Sequence, residues 1–286
     1  MGERPGIVVV KLGGELLMNT GALEGIAADI ASLALEGIGV VVAHGGGPQA
    51  DALAERLGYP VHKVAGRRIT DDNALEVAKM VYRGSANVEL VAAIGRHGAR
   101  AVGLSGVDAG IIRATRRPPV AYKDPTTGAE TTVDFGSVGD IESVDTSLLD
   151  MLLDAQYVPV IAPLCADVQG NIYNVNADTV AQSLAVALNA SRLIILTNVS
   201  GILRDPANPS TRMPACNLAE LQVLIADGTI SGGMLPKVQN CIQAINAGVR
   251  AVQIVDGTAR PSLLRNAVEG KSVGTVIFGV RDENGE

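Results

Sequence analysis

The chain has 286 residues and a formal net charge of −7; 47% of its residues are apolar, 2% are aromatic and none is tryptophan. An acidic chain without a basic block excludes nucleic acid or an anionic membrane as its main partner, and so few aromatics exclude a base-stacking platform. A core of Val, Ile, Leu and Ala instead suits a parallel sheet covered by helices, at a length for one large α/β unit or two medium domains.

Cys165, Cys216 and Cys241 are odd in number and far apart, with neither metal nor disulfide spacing, which points to a reducing cytoplasm. His44, His62 and His97 are too scattered for a zinc site. The first six residues hold no apolar signal core, and no run approaches the roughly 18 apolar residues of a membrane span. The expectation is a soluble, intracellular protein.

The first predicted element is Ile7-Val8-Val9-Val10-Lys11-Leu12-Gly13-Gly14, a strand buried on both faces that ends in a lysine and two glycines. The carboxyl ends of strands are where open α/β sheets bind ligands. Glycines there let a ligand approach backbone N–H groups that cradle anions. A helix over 22–35 follows, ended by Gly37 and Gly39, then a second buried strand over 40–43. It runs into His44-Gly45-Gly46-Gly47-Pro48 and a helix over 49–57, with Pro48 in the first turn. Strand, three glycines and helix form an anion cradle by helix dipole and free N–H groups, though the spacing is neither GxGxxG nor GxxxxGK[ST]. His44 reads as a structural hydrogen-bonder rather than a base.

Gly66-Arg67-Arg68-Ile69-Thr70 is a polar connection whose arginines either clamp a carboxylate or stay solvated. Helices over 73–82 and 87–96 and a strand over 101–104 come next. From 111 to 140, short alternating runs around Pro125-Thr126-Thr127-Gly128 predict antiparallel hairpins beside the main sheet. A helix over 147–153 and a strand over 158–162 restore the α/β rhythm. Asn174, Asn176 and Asp178 alternate ahead of an Ala-rich helix over 178–188. Asn176 fits its N-cap and Asp178 suits its dipole; capping leaves Asn174 unexplained. A strand over 193–196 ends in Thr197-Asn198-Val199-Ser200-Gly201, and a surface loop rich in Pro and Asn covers 204–214. Gly232 and Gly233 open a helix whose first turn holds Pro236 and Lys237, although a cation there opposes the dipole. A strand over 252–255, a helix over 261–267 and a strand over 275–278 close the chain. The expected architecture is a three-layer αβα sandwich on a mainly parallel sheet, with lobes 1–165 and 166–286.

Glycine cradles, two lysines and one aspartate at strand ends are the equipment of phosphoryl transfer, whereas no G-x-S-x-G supports a serine hydrolase. Val10-Lys11-Leu12-Gly13-Gly14, His44-Gly45-Gly46-Gly47, Gly66-Arg67-Arg68-Ile69-Thr70, Asn174-Val175-Asn176-Ala177-Asp178 and Ser231-Gly232-Gly233-Met234-Leu235-Pro236-Lys237 together resemble the amino acid kinase family, in the same order over nearly the whole chain. Within it they are most similar to members that phosphorylate the side-chain carboxylate of N-acetyl-L-glutamate with ATP, in arginine biosynthesis. The resemblance implies an N-terminal lobe for the acyl amino acid and for dimerisation, and a C-terminal lobe for ATP. It implies that Lys11 and Lys237 stabilise the transferring phosphoryl, with Asp178 holding both ammonium groups. Gly46, Gly47, Arg68 and Asn174 would bind the acyl amino acid. Gly13, Gly14, Thr197, Asn198, Ser200, Gly201, Gly233 and Met234 would bind the nucleotide. Magnesium would arrive on ATP, with no protein metal site.

Asn198 stands where members acting on acetylglutamate more often carry aspartate, and matches members acting on carrier-protein-bound aminoadipate. The segment 57–71 follows the acetylglutamate pattern. The N-terminus lacks the extra helix associated with arginine-inhibited hexamers, so the expectation is a cytoplasmic homodimer with weak arginine sensitivity. A non-catalytic nucleotide-binding regulator is the alternative from another class; both lysines and Asp178 argue against it.

Overall fold

The structure is a computed structural model that describes residues 6–64, 66–123, 130–205, 207–259 and 262–279. In the first half the elements are β1 (Ile7–Leu12), α1 (Gly14–Met18), α2 (Thr20–Leu35), β2 (Gly39–His44), α3 (Gly47–Arg56), β3 (Lys63–Val64), β4 (Arg67–Arg68), α4 (Asp72–Ala78), α5 (Asn87–Arg96) and β5 (Arg100–Ser105). There follow β6 (Ile112–Arg116), β7 (Val120–Lys123), β8 (Glu130–Val133), β9 (Gly139–Val144), α6 (Ser147–Asp154), β10 (Tyr157–Ala162), β11 (Leu164–Ala166) and β12 (Ile172–Asn174). The remainder is α7 (Ala177–Ala187), β13 (Arg192–Thr197), β14 (Ala215–Asn217), α8 (Leu218–Ala226), α9 (Met234–Asn246), β15 (Ala251–Asp256), α10 (Leu264–Val268) and β16 (Thr275–Phe278).

The main sheet has eight strands in the order β14-β16-β15-β13-β1-β2-β10-β5. Six run parallel; β16 pairs antiparallel with β15 and carries β14 with it. The chain leaves β1 toward β2, while β13 lies on the other side of β1. That reversal makes the carboxyl ends of β1 and β13 a topological switch point, where the loops diverge and leave a crevice.

Side-chain alternation along β1 decides what the crevice contains. Val8, Val10 and Leu12 pack with α2, α3, α5 and α10 on one face. Val9 packs on the other face with residues of α7, α8 and α9. All four are buried, each contributing on the order of 1.5–3 kcal/mol of apolar burial. With a period of two, Lys11 falls on the face of Val9 and so points toward α7 and α9.

Helix 73–82 is shorter than its periodicity predicts: α4 ends at Ala78, and a π-helical stretch, Lys79–Ala86, carries the chain into α5 across a kink at Gly84. The short α1 lay outside the periodicity because five residues are too few to show one. Between 111 and 140 the pairing is less local than adjacent hairpins imply. β7 and β8 do form a hairpin, but β6 pairs with the more distant β9 in a four-stranded sheet, β12-β11-β6-β9. The turn Pro125-Thr126-Thr127-Gly128 and the start of the helix foreseen over 261–267 lie outside the described residues.

Candidate active site

Lys11 and Asp178 meet at the carboxyl end of β1. The Lys11 Nζ lies 2.9 Å from Asp178 Oδ1, with the two side chains 14% and 24% exposed. Asp178 is in the first turn of α7, whose N-cap is Asn176; the Asn176 side chain accepts from the Asp178 backbone N–H at 2.7 Å. Capping therefore accounts for Asn176, and it also aims Asp178 out of the helix start toward Lys11.

The two glycine segments pack on each other. The Gly45 N–H donates to the Leu12 carbonyl at 2.9 Å. Gln49, on α3, donates to the Gly14 carbonyl at 2.8 Å. A Cβ on Gly14 would lie 3.1 Å from the Gly46 nitrogen and 2.9 Å from Pro48 Cδ, and a Cβ on Gly46 would lie 2.7 Å from the Tyr82 ring. Both glycines are required by this close approach, whatever binds between them. The N-terminus of α3 opens here, with Gly46 as N-cap.

Arg68 reaches the same place from β4. Its guanidinium donates to the Gly47 carbonyl at 3.2 Å and to Asp51 at 2.5 Å. Burial pushes the Tyr82 phenol up from its ordinary value, and the Arg68 charge partly offsets this. Two residues further on, the buried Thr70 hydroxyl accepts from the Asn174 amide at 3.1 Å. The Asn174 backbone N–H donates to Ser137, and the Ser137 N–H to Thr70. Arg68 and Asn174, far apart in sequence, are thereby joined through Thr70.

On the other side of β1, Thr197 ends β13 level with Asp256 of β15. The Asn198 amide donates to Glu15 at 3.0 Å, linking the loop after β13 to the start of α1. Gly201 takes φ +127°, and a Cβ there would crowd Thr275. Gly233 is the N-cap of α9, and Met234 its first residue. Lys237 is half-buried, and its ammonium donates to the Gly233 carbonyl at 3.3 Å. One turn beyond Lys237, the buried Cys241 thiol is pushed up to about 12, chiefly by burial, with Asp178 and Lys11 also acting on it. The face of α9 that carries Cys241 packs in the same buried cluster as Val180 and Ala181 of α7. Asp178 is bonded to Lys11; the partner seen for Lys237 is its own helix.

His44 is fully buried, and burial pushes its imidazole down to about 4, so it is neutral at physiological pH and sealed from the crevice. Among the described residues no group of three or more His, Cys, Asp and Glu is arranged to hold a metal ion, and no helix is long and apolar enough to cross a membrane.

The family model described as "Amino acid kinase family" matches residues 6–256, most of the chain. This protein belongs to the amino acid kinase family. Among its relatives, an acetylglutamate kinase of Sorangium cellulosum is 44% identical over 272 residues, covering 95% of this chain and 94% of the relative. One from Methanothermobacter thermautotrophicus is 41% identical over 270 residues, covering 94% and 92%. Among solved structures, N-acetylglutamate synthase from Neisseria gonorrhoeae, complexed with coenzyme A and N-acetyl-glutamate, superposes with a TM-score of 0.79 at 29% identity. The match covers 98% of this chain but 61% of the synthase.

Set within this family's fold, Lys11, Asp178, the two glycine segments and Arg68 meet at the carboxyl ends of β1 and β2, with Thr197 at the end of β13 beside them. The sequence reading missed the partners that hold them: Glu15, Asp51, Thr70 and Tyr82. It also missed Asp256, which accepts from the Thr258 N–H and hydroxyl at 2.8 and 2.6 Å beside Thr197. The strand-end rule would have found Asp256; Asp51 and Tyr82 carry no signal short of the tertiary contacts.

Proposed function

We propose that this protein transfers the γ-phosphoryl group of MgATP to the side-chain carboxylate of N-acetyl-L-glutamate, as its relatives named acetylglutamate kinase do. A carboxylate oxygen forms the new bond to phosphorus, the bond from phosphorus to the bridging oxygen breaks, and ADP departs with the electron pair. The acceptor is already ionised at pH 7. No general base is then needed, in keeping with a buried, neutral His44.

The observation that carries this reading is the Lys11–Asp178 pair, held at 2.9 Å where the two glycine segments meet. Charge moves onto the transferring phosphoryl and the leaving ADP, and a fixed ammonium with backbone N–H groups offsets it without reorganising. In this reading Lys11 and Lys237 flank the phosphoryl from opposite halves of the sheet. Gly46, Gly47, Arg68 and Asn174 grip the acyl amino acid in the lobe formed by 1–165. Gly13, Gly14, Thr197, Asn198, Ser200, Gly201, Gly233 and Met234 receive the nucleotide, mainly from 166–286. Magnesium enters as part of the substrate MgATP, bound mostly by phosphate oxygens.

The test is an ATP-dependent hydroxamate assay, which traps acyl phosphates, run over a panel of acyl amino acids. N-acetyl-L-glutamate giving the highest kcat/KM supports the reading; no acyl phosphate from any acceptor ends it. Asn198 favours a second reading, a carrier-bound aminoadipate or glutamate acceptor, and the same assay with a carrier-linked substrate separates the two. We further propose a cytoplasmic homodimer with weak arginine sensitivity. Three buried free cysteines suit a reducing compartment. Light scattering with an arginine titration tests the assembly.

A further inference from the structure

We infer that His44 is a positioning residue of the phosphoryl-transfer site: as a neutral imidazole protonated on Nδ1, it fixes the Gly45 carbonyl and so aims the Gly46 N–H into the crevice. The inference rests on the reading above for what the crevice binds, but its structural part stands on the buried contacts alone.

Asn87 is the first residue of α5, and the π-helical stretch with its kink at Gly84 delivers it to the sheet. Its side chain is fully buried. Its Nδ2 donates to the Val160 carbonyl at 3.0 Å, a group that can only accept. Its Oδ1 accepts from Arg83 at 3.4 Å. These two contacts independently set which end of the amide is nitrogen. The second N–H of Nδ2 faces His44 Nε2 at 2.9 Å. Nε2 must therefore accept, and the ring proton must sit on Nδ1. Nδ1 is 2.8 Å from the Gly45 carbonyl oxygen, to which it donates. Every polar atom of the His44 ring is thus used, and the tautomer follows from the network.

The backbone converts this tautomer into an orientation. In a planar trans peptide the carbonyl of one residue and the N–H of the next point in opposite directions. With the Gly45 carbonyl turned onto the imidazole, the Gly46 N–H is turned away from it. That side is the crevice, where the Gly46 nitrogen lies 3.1 Å from the place a Gly14 Cβ would occupy. The donor that faces the Gly13-Gly14 segment is therefore held by a histidine and an asparagine that themselves stay out of the site. Room for the relay comes from the edge strand: at Gly103 on β5 any Cβ would collide with the Asn87 amide. Burial holds the ring uncharged, and the nearby Arg83 acts in the same direction. A protonated ring would lose the Asn87 bond.

Two substitutions separate positioning from packing. Asparagine places its amide where histidine carries Nδ1, whereas glutamine reaches the place of Nε2. His44→Asn keeps the donor to Gly45 and retains most of kcat. His44→Gln still accepts from Asn87 but no longer fixes Gly45, and it loses kcat by on the order of 10- to 100-fold, as when one transition-state donor is misplaced, with KM for both substrates changed far less. Independently of activity, ¹⁵N-histidine spectra of the wild-type protein show His44 protonated on Nδ1, not on Nε2, and without titration from about pH 5.5 to about pH 8. An Nε2-protonated or titrating His44 overturns the inference, as does equal loss of kcat in the two variants. Wild-type protein that fails to phosphorylate N-acetyl-L-glutamate while showing this tautomer removes the functional reading and leaves the relay intact.

Discussion

The two lysines of the crevice are held in opposite ways. Lys11 stands at the end of a central strand, mostly buried, in a 2.9 Å ion pair with Asp178. Lys237 lies in the first turn of α9, half-buried, with the Gly233 carbonyl of its own helix start 3.3 Å away as its contact. A strand flanked by two others fixes its terminal residue through the ladder, while a helix start with a glycine cap leaves a long side chain free to move. The Lys11 side of the crevice is consequently already held by contacts within the protein. In the proposed reaction, the Lys237 ammonium would exchange its contact with its own helix for the phosphates of ATP.

The contrast can be broken most directly by removing each lysine. Lys11→Ala and Lys237→Ala each lower kcat by at least about 100-fold in steady-state kinetics. They differ in stability: Lys11→Ala leaves a half-buried Asp178 without its partner and costs about 1–2 kcal/mol in urea unfolding, whereas Lys237→Ala unfolds like the wild type. Equal stability losses would erase the distinction between the two sides.

Stability against pH sharpens it further, because the pre-built side also contains His44. Burial depresses its pKa to about 4, so between that value and the ordinary histidine range the unfolded chain binds a proton that the folded protein does not. The contribution is complete above about pH 6.5 and is lost as the pH falls toward 4, amounting to about 3 kcal/mol. Urea midpoints measured across this window should slope downward with acid, less steeply for His44→Asn.

Smaller effects follow outward from the crevice. Asp178→Asn keeps the shape but frees the Lys11 ammonium, lowering kcat about 30-fold while leaving KM for ATP nearly unchanged. Arg68→Lys loses the planar fork that spans Asp51 and the Gly47 carbonyl, raising KM for the acyl amino acid about 10-fold with less effect on kcat. Asn198→Asp sets a carboxylate against Glu15 in place of the 3.0 Å amide contact and raises KM for ATP only a few-fold, since both groups are exposed.

The sequence by itself determined the longer strands and helices, but not α1, α8 or the short strands β3, β4, β11 and β14. Apolar runs of β-branched residues define β1, β2, β10 and β13, and the glycines that follow β1 and β2 mark where an anion can approach backbone, because these signals are local. Lys11, Asp178 and Arg68 were legible for the same reason: each sits beside a strand end, a cap or a glycine turn. Tertiary structure alone decided the pairings. The alternation of β1 placed Lys11 on the α7 side, and strand order put Thr197 beside Asp256. The kink at Gly84 turned Asn87 onto His44, and Thr70 tied Arg68 to Asn174. Such contacts join residues tens to hundreds of positions apart, and their energies depend on burial and direction, which periodicity does not encode.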